Sequence, residues 1–198
     1  MLIWMCALHC EAKPLIDHYQ LQKSNRHRGF DLYQRPDISC IVSGVGALRM
    51  AAATAWTAAI VGKDETRCWI NLGIAGHREL EVGSLVLANH ISMAEQSRNY
   101  SLTVDKPTIL RSYPLESYLQ QQSGYPQHAM VDMEGYAFIH TASGFTDIQW
   151  CQSLKVISDN DLSPAHRDKQ RISELIAGNM KQISKFATDL CLATQAQQ

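Results

Sequence analysis

No stretch of this chain approaches the roughly 20 consecutive apolar residues that a membrane-spanning helix needs, and no two cysteines stand at a CxxC spacing. Neither sign of charge is in excess. Eighteen Lys and Arg face nineteen Asp and Glu, for a formal net charge of −1. That balance removes the global basic field that would draw nucleic acid or an anionic membrane. Low-complexity runs, internal repeats and Pro/Gly/Ser-rich linkers are missing too. What remains is 198 residues, 45% hydrophobic and 19% charged. This is the composition of one globular domain, residues 1–198, large enough to bury a core.

The opening MLIWMCALHCEAKPL is apolar only briefly and lacks a basic n-region and a cleavage site. It reads as a first strand rather than a signal peptide. Six cysteines (Cys6, Cys10, Cys40, Cys68, Cys151 and Cys191) are scattered, several inside apolar runs where a thiol serves as a small hydrophobe. Reduced thiols and a cytoplasmic location are expected. His9 beside Cys10 suits no common ligand spacing, so neither a metal nor a cofactor is expected.

Apolar runs predict strands over residues 1–8, 30–34, 38–43, 67–72, 83–91, 129–133 and 152–158, with a short one at 108–110. Helices are predicted over residues 11–22, 47–61, 114–122, 135–143 and 165–193, the last kinked near Gly178. Strands and helices alternate, and the strands are continuous apolar runs, as strands buried on both faces are. The fold class is α/β: a three-layer αβα sandwich around a mixed, largely parallel sheet. Ligands of such sheets bind beyond the carboxyl ends of the strands. The residues there are Glu11, Ser43–Gly44, Gly73–Gly76, Met133–Glu134 and Ser158–Asp159.

Ser43 and Gly44, in SGVG between a strand and a helix, offer N–H donors to an anion, a sugar hydroxyl or a water, or form a plain packing corner. Gly73, in NLGIAG, admits a flat ligand close to the backbone or simply permits the turn. Glu134 alone is a first-turn carboxylate that suits the helix dipole, and Asp159 alone an N-cap or turn residue. With Glu11 they make three acids at one sheet edge. Repulsion pushes their pKa values apart, so that one holds a proton while another accepts hydrogen bonds.

The stretches ALHCEAKPL, VSGVGALRMAAAT, INLGIAGHRELEVGSLVLANHI, MVDMEGYAFIHTA and LKVISDNDLSP, in that order, cover about two thirds of the chain. Together they resemble the purine nucleoside phosphorylase and nucleosidase superfamily, most of all the 5′-methylthioadenosine/S-adenosylhomocysteine nucleosidases. The resemblance implies a homodimer acting on a small-molecule nucleoside. It implies that Glu11 activates the attacking water and that Ser43 lies in the loop holding it. Met133 would pack on the ribose and Glu134 accept from its hydroxyls. Asp159, supported by Ser158, would protonate purine N7, so that the base does not leave as an anion.

The implied reaction is hydrolysis of the N-glycosidic bond of a purine nucleoside or 5′-modified derivative, with a phosphate-dependent phosphorylase or a non-catalytic nucleoside-binding relative as the alternatives. Two departures favour water over phosphate as the nucleophile. Asn71 stands in the strand where the phosphorylases carry an arginine, and the first loop holds the anionic Glu11. Lys155, which the resemblance places among the substrate-binding residues, stands where the nucleosidases have an arginine near the water, keeping the charge without the fork. Residues 92–129 are shorter than the segment that covers the purine in the family. Tyr100 or Tyr113 is the candidate to stack on a base there, and the short cover suits a large 5′ substituent, as in futalosine or adenosylhopane. His77 and His90 read as a solvated turn and a strand end.

Overall fold

The computed structural model describes residues 1–26, 28–62, 64, 66–103, 109–122, 124–164 and 168–196. The first strand, β1 (Leu2–Cys6), is buried along its whole length and runs parallel between β4 (Ile38–Val42) and β5 (Cys68–Gly76). Strand alternation divides its side chains between two cores. Ile3 and Met5 join one, Leu2, Trp4 and Cys6 the other.

Helices α2 (Ala47–Val61) and α3 (Gly135–Ala142) cover the first core with Met50, Ala53, Phe138 and Ile139. Helices α1 (His9–Tyr19), α4 (Lys169–Gly178) and α5 (Met180–Ala196) cover the second with Leu15, Ile176 and Ile183. Alanines let α2 lie close to its neighbours, and its buried Thr54 and Thr57 donate to Met50 O and Ala53 O. Full burial of side chains such as Ile3, Ile41 and Leu72 contributes roughly 1.5–3 kcal/mol each.

The sheet is mixed, and its longest pairings are parallel. Its middle, β4–β1–β5–β10 (Cys151–Asp159), is parallel throughout. On one flank β2 (Gln22–Lys23) and β3 (Asp31–Arg35) add antiparallel pairs. On the other flank β10 pairs antiparallel with β6 (Leu85–Met93), which also carries the short β7 (Tyr100–Ser101). Then β6 pairs with β8 (Ser112–Ser117), β8 with β9 (Met130–Asp132), and β9 returns to β5. The pairings β5–β10–β6–β8–β9 thus close on themselves. They close at Gly76, whose neighbours in register are Asp159 on β10 and Val131 on β9. One strand end therefore sets the ISD and VDME sequences side by side.

The helix expected over 114–122 is instead β8 followed by a loop. Pro114 reads in sequence as a helix start but lies in a strand between two others. The strand tolerates it because the β6–β8 register slips between Ala88 and His90, where a ladder N–H is dispensable. Ile109 and Leu110 are not in a strand, and residues 104–108 lie outside the described residues. The long C-terminal helix is two helices broken at Asn179, with 165–167 outside the described residues. Among the described residues no helix is long and apolar enough to cross a membrane.

Candidate active site

Glu11 is the third residue of α1, which follows β1 after a two-residue turn, and it is 3% exposed. Its Oε2 accepts from the N–H groups of Ala7 at 3.0 Å and Leu8 at 2.8 Å, and its Oε1 from Ile74 at 3.0 Å. The carboxylate thereby ties the β1–α1 turn to β5. A Cβ on Gly73 would lie 2.9 Å from Oε1, so the glycine is what lets the acid reach the strand. Burial raises the Glu11 pKa, against the pull of the three N–H groups and Lys155. A carboxylate has about four acceptor positions, so three N–H donors leave about one for a water.

The β9–α3 junction carries two more acids. Asp132 accepts from Ser117 Oγ at 2.5 Å, from Gly135 N–H at 2.8 Å and from the Lys155 ammonium at 2.8 Å. Glu134, two residues on, accepts from Gly46 N–H at 2.6 Å. Burial, then the charge of Asp132, push the Glu134 pKa up to about 7. Met133 between them is half-buried and belongs to neither hydrophobic core.

Lys155 is 1% exposed, which would be costly for a charge without partners. Besides Asp132 it donates to Asn71 Oδ1 at 2.6 Å, and Asn71 in turn donates to Met5 O at 3.1 Å. Burial works against the ammonium, but Asp132, Glu134 and Glu11 outweigh it and hold its pKa above the ordinary value.

In the SGVG loop, Gly44 has φ +83° and Gly46 φ +101°, a region that disfavours side chains. The Ser43 and Gly44 N–H groups donate to Cys6 O and Ala7 O, and the Gly46 N–H to Glu134. These amides are spent inside the protein rather than turned towards an anion. The hydroxyl of the fully buried Ser43 donates to Gly44 O at 2.7 Å, with Cys6 O at 3.3 Å as the alternative acceptor.

At the end of β10 the register with β5 slips between Ile157 and Asp159, so a bulge at Ser158 re-aims the acid beside Gly76. Ser158 Oγ donates to Asp159 Oδ1, and Tyr125 Oη donates to Oδ2 at 2.5 Å. On β5, Gly73 faces Glu11 and Gly76 faces Asp159. At 3.3 Å per residue those anchor points are about 10 Å apart.

Sequence reasoning passed over Asp132 and Tyr125. Asp132 was legible from alternation, since it stands two residues before Glu134 in a strand-to-helix run; Tyr125 lies in a loop with no local signal. His77 is buried rather than solvated. Its Nδ1 accepts from the N–H groups of Glu79 and Leu80, and burial lowers its pKa. Tyr100 is also buried, hydrogen-bonded to His140 at 2.6 Å, and cannot stack on a ligand; Tyr113 stands edge-on to His77. Among the described residues no His, Cys, Asp or Glu cluster is arranged to hold a metal ion.

No protein-family model matches the chain, and no curated protein matches its sequence. Solved structures do match its fold. The 5′-methylthioadenosine nucleosidase of Arabidopsis thaliana aligns with a TM-score of 0.75 at 14% identity, over 94% of this chain and 95% of that one. The futalosine hydrolase of Helicobacter pylori aligns at 0.67 and 14% identity, over 91% and 97%. The 5′-methylthioadenosine/S-adenosylhomocysteine nucleosidase of Neisseria meningitidis, in complex with methylthio-immucillin-A, aligns at 0.67 and 16% identity, over 91% and 98%. The α/β architecture with its mixed sheet is therefore the fold seen in these nucleosidase and futalosine hydrolase structures.

Proposed function

We propose that the protein hydrolyses the N-glycosidic bond of a purine nucleoside or a 5′-modified derivative and releases the free base. The observation that carries this is the arrangement of acids along β5. Glu11 sits at Gly73 and Ile74, Asp159 sits at Gly76, and Glu134, near enough to Glu11 to feel its charge, follows β9, whose Val131 pairs with Gly76. In this reading Glu11 takes a proton from a water on its remaining acceptor position, and the water oxygen bonds to the anomeric carbon. The carbon–nitrogen bond breaks as Asp159 delivers a proton to the base, which leaves neutral. Met133 lies under the ribose, Glu134 accepts from its hydroxyls, and the carboxylates favour the oxocarbenium character of the sugar. Lys155 acts from beneath, through Asp132, with no free donor of its own needed.

Phosphorolysis is disfavoured by the same geometry. Asn71 is engaged by Met5 and Lys155, the Ser43, Gly44 and Gly46 amides are engaged internally, and Glu11 would repel a phosphate. The nearly full-length overlap with a methylthioadenosine nucleosidase and a futalosine hydrolase supports a 5′-modified purine nucleoside as the substrate class. We further take residues 1–198 as one layered domain with helices on both sheet faces, as the two cores suggest. We take the molecule as a cytoplasmic homodimer; its six free thiols fit a reducing compartment, and Val45, Leu48, Ala52, Ala55 and Ala59 expose an apolar face on or beside α2. Sedimentation equilibrium tests the dimer. The activity is tested by incubating the protein with adenosine and inosine derivatives, with and without phosphate. Free base with ribose as co-product supports hydrolysis, and ribose 1-phosphate that appears only with phosphate supports phosphorolysis.

A further inference from the structure

Tyr125 brings the short 92–129 segment to Asp159. Its hydroxyl donates to Asp159 Oδ2 at 2.5 Å, while Ser158 holds Oδ1. Its ring lies on the glycine at the strand end. A Cβ on Gly76 would come within 2.4 Å of Tyr125 Cε1 and 2.7 Å of Asp159 Oδ2. Phenol, acid and glycine form one tight contact. Burial and then the neighbouring carboxylate keep the phenol protonated far above neutral pH, so it remains a donor.

Two physical consequences follow for proton transfer to a base. A carboxyl with a hydroxyl donor on each oxygen is held as an acceptor, whereas a general acid must present one oxygen as a donor. A flat base reaching Oδ2 across Gly76 also needs the space that the phenol ring fills. Base and phenol are therefore alternative partners of one oxygen. The phenol O–H even repeats the donor that a newly protonated base nitrogen offers the carboxylate after transfer.

We propose that Tyr125 is a positioning and specificity residue that competes with the purine base for Asp159. It fixes the carboxylate at the strand end, yields Oδ2 to an entering base, and reclaims it as the base leaves. A purine with an in-plane nitrogen able to take the proton displaces the phenol; a base without one does not. The inference rests on the nucleosidase reading.

The test compares the wild-type protein with Tyr125→Phe and Tyr125→Ala, using adenine titrated by calorimetry and the kcat and KM of a hydrolysed nucleoside. Tyr125→Phe keeps the ring and loses the competing donor. Adenine is expected to bind it about ten-fold more tightly, the worth of one hydrogen bond to a charged group. KM falls, kcat does not rise, and the alkaline limb of kcat/KM moves to higher pH; Tyr125→Ala, which also frees the space, binds adenine at least as tightly. Equal or weaker adenine binding by Tyr125→Phe, with an unmoved pH profile, overturns the proposal and makes Tyr125 a wall of the pocket. Should the wild-type protein release no base, the nucleosidase reading fails and the titration alone decides. Tighter adenine binding by the Phe variant then keeps the competition between phenol and base, and adenine binding by none of the three proteins overturns both.

Discussion

The residue that responds most to its surroundings is Glu134. Its folded-state pKa of about 7 stands above the ordinary 4.5, raised by burial and by Asp132. Folding therefore favours its protonated form. That contribution to stability is complete below about pH 4.5 and is lost as pH rises through 7. Glu134→Gln should accordingly melt higher than wild type at pH 8 and show little difference at pH 4.5; a difference that does not vary with pH would speak against a raised pKa. Ribose hydroxyls need the ionised carboxylate as acceptor, so KM for a nucleoside should climb as pH falls below 7, and a KM flat from pH 5.5 to 8 would remove Glu134 from sugar binding. Lys155 makes the opposite case, a cation that must stay charged. Lys155→Met strands Asp132 in the interior and should cost about 3–5 kcal/mol in chemical denaturation, the range for breaking a buried pair. A loss below 1 kcal/mol would mean that the pair contributes little. The acids Glu11, Glu134 and Asp159 were legible because each ends an apolar run. The Asp132–Lys155 pair was not, since pairing between β10 and the β9–α3 junction is a tertiary fact that no local pattern carries.

At the scale of elements, β5 organises the site by what it omits. Its glycines leave room for carboxylates arriving from two other elements, α1 at Gly73 and β10 at Gly76. Gly73→Ala introduces a Cβ 2.9 Å from Glu11 Oε1 at a position without positive φ. The backbone tolerates alanine there, but the carboxylate must move and loosen its bond to Ile74 N–H. Base release should fall at least ten-fold while the melting temperature shifts by only a few degrees; unchanged turnover would show that the position of Glu11 is not critical. Most strands and helices could be read from the sequence because buried strands are continuous apolar runs and α2 is dense in alanine. β8 could not. Its SYPLES stretch is short and polar, with a proline that also suits a helix start, and it becomes a strand only because β6 and β9 lie on either side. The ring of pairings that closes at Gly76 is hidden for the same reason, since it joins strands far apart in the chain.

The whole molecule keeps the nucleosidase fold across solved structures at 13–18% identity. At that distance the fold is held by the burial pattern, and the chemistry resides at the strand ends. The segment between β6 and β9 is short, yet it supplies β8 to the ring and Tyr125 to the acid, so the site is built without a long cover. In the proposed reaction Asp159 protonates the leaving base while Glu11 activates water at the other end of the same bond. The most direct measurement follows free base released from a 5′-modified adenine nucleoside in phosphate-free buffer, by wild type and by Asp159→Asn, with both folds checked by circular dichroism. Steady release is expected from wild type, with a loss of at least a thousand-fold in a folded Asp159→Asn. Turnover in that variant near the wild-type rate, or wild-type release only when phosphate is added, would contradict the proposed reaction.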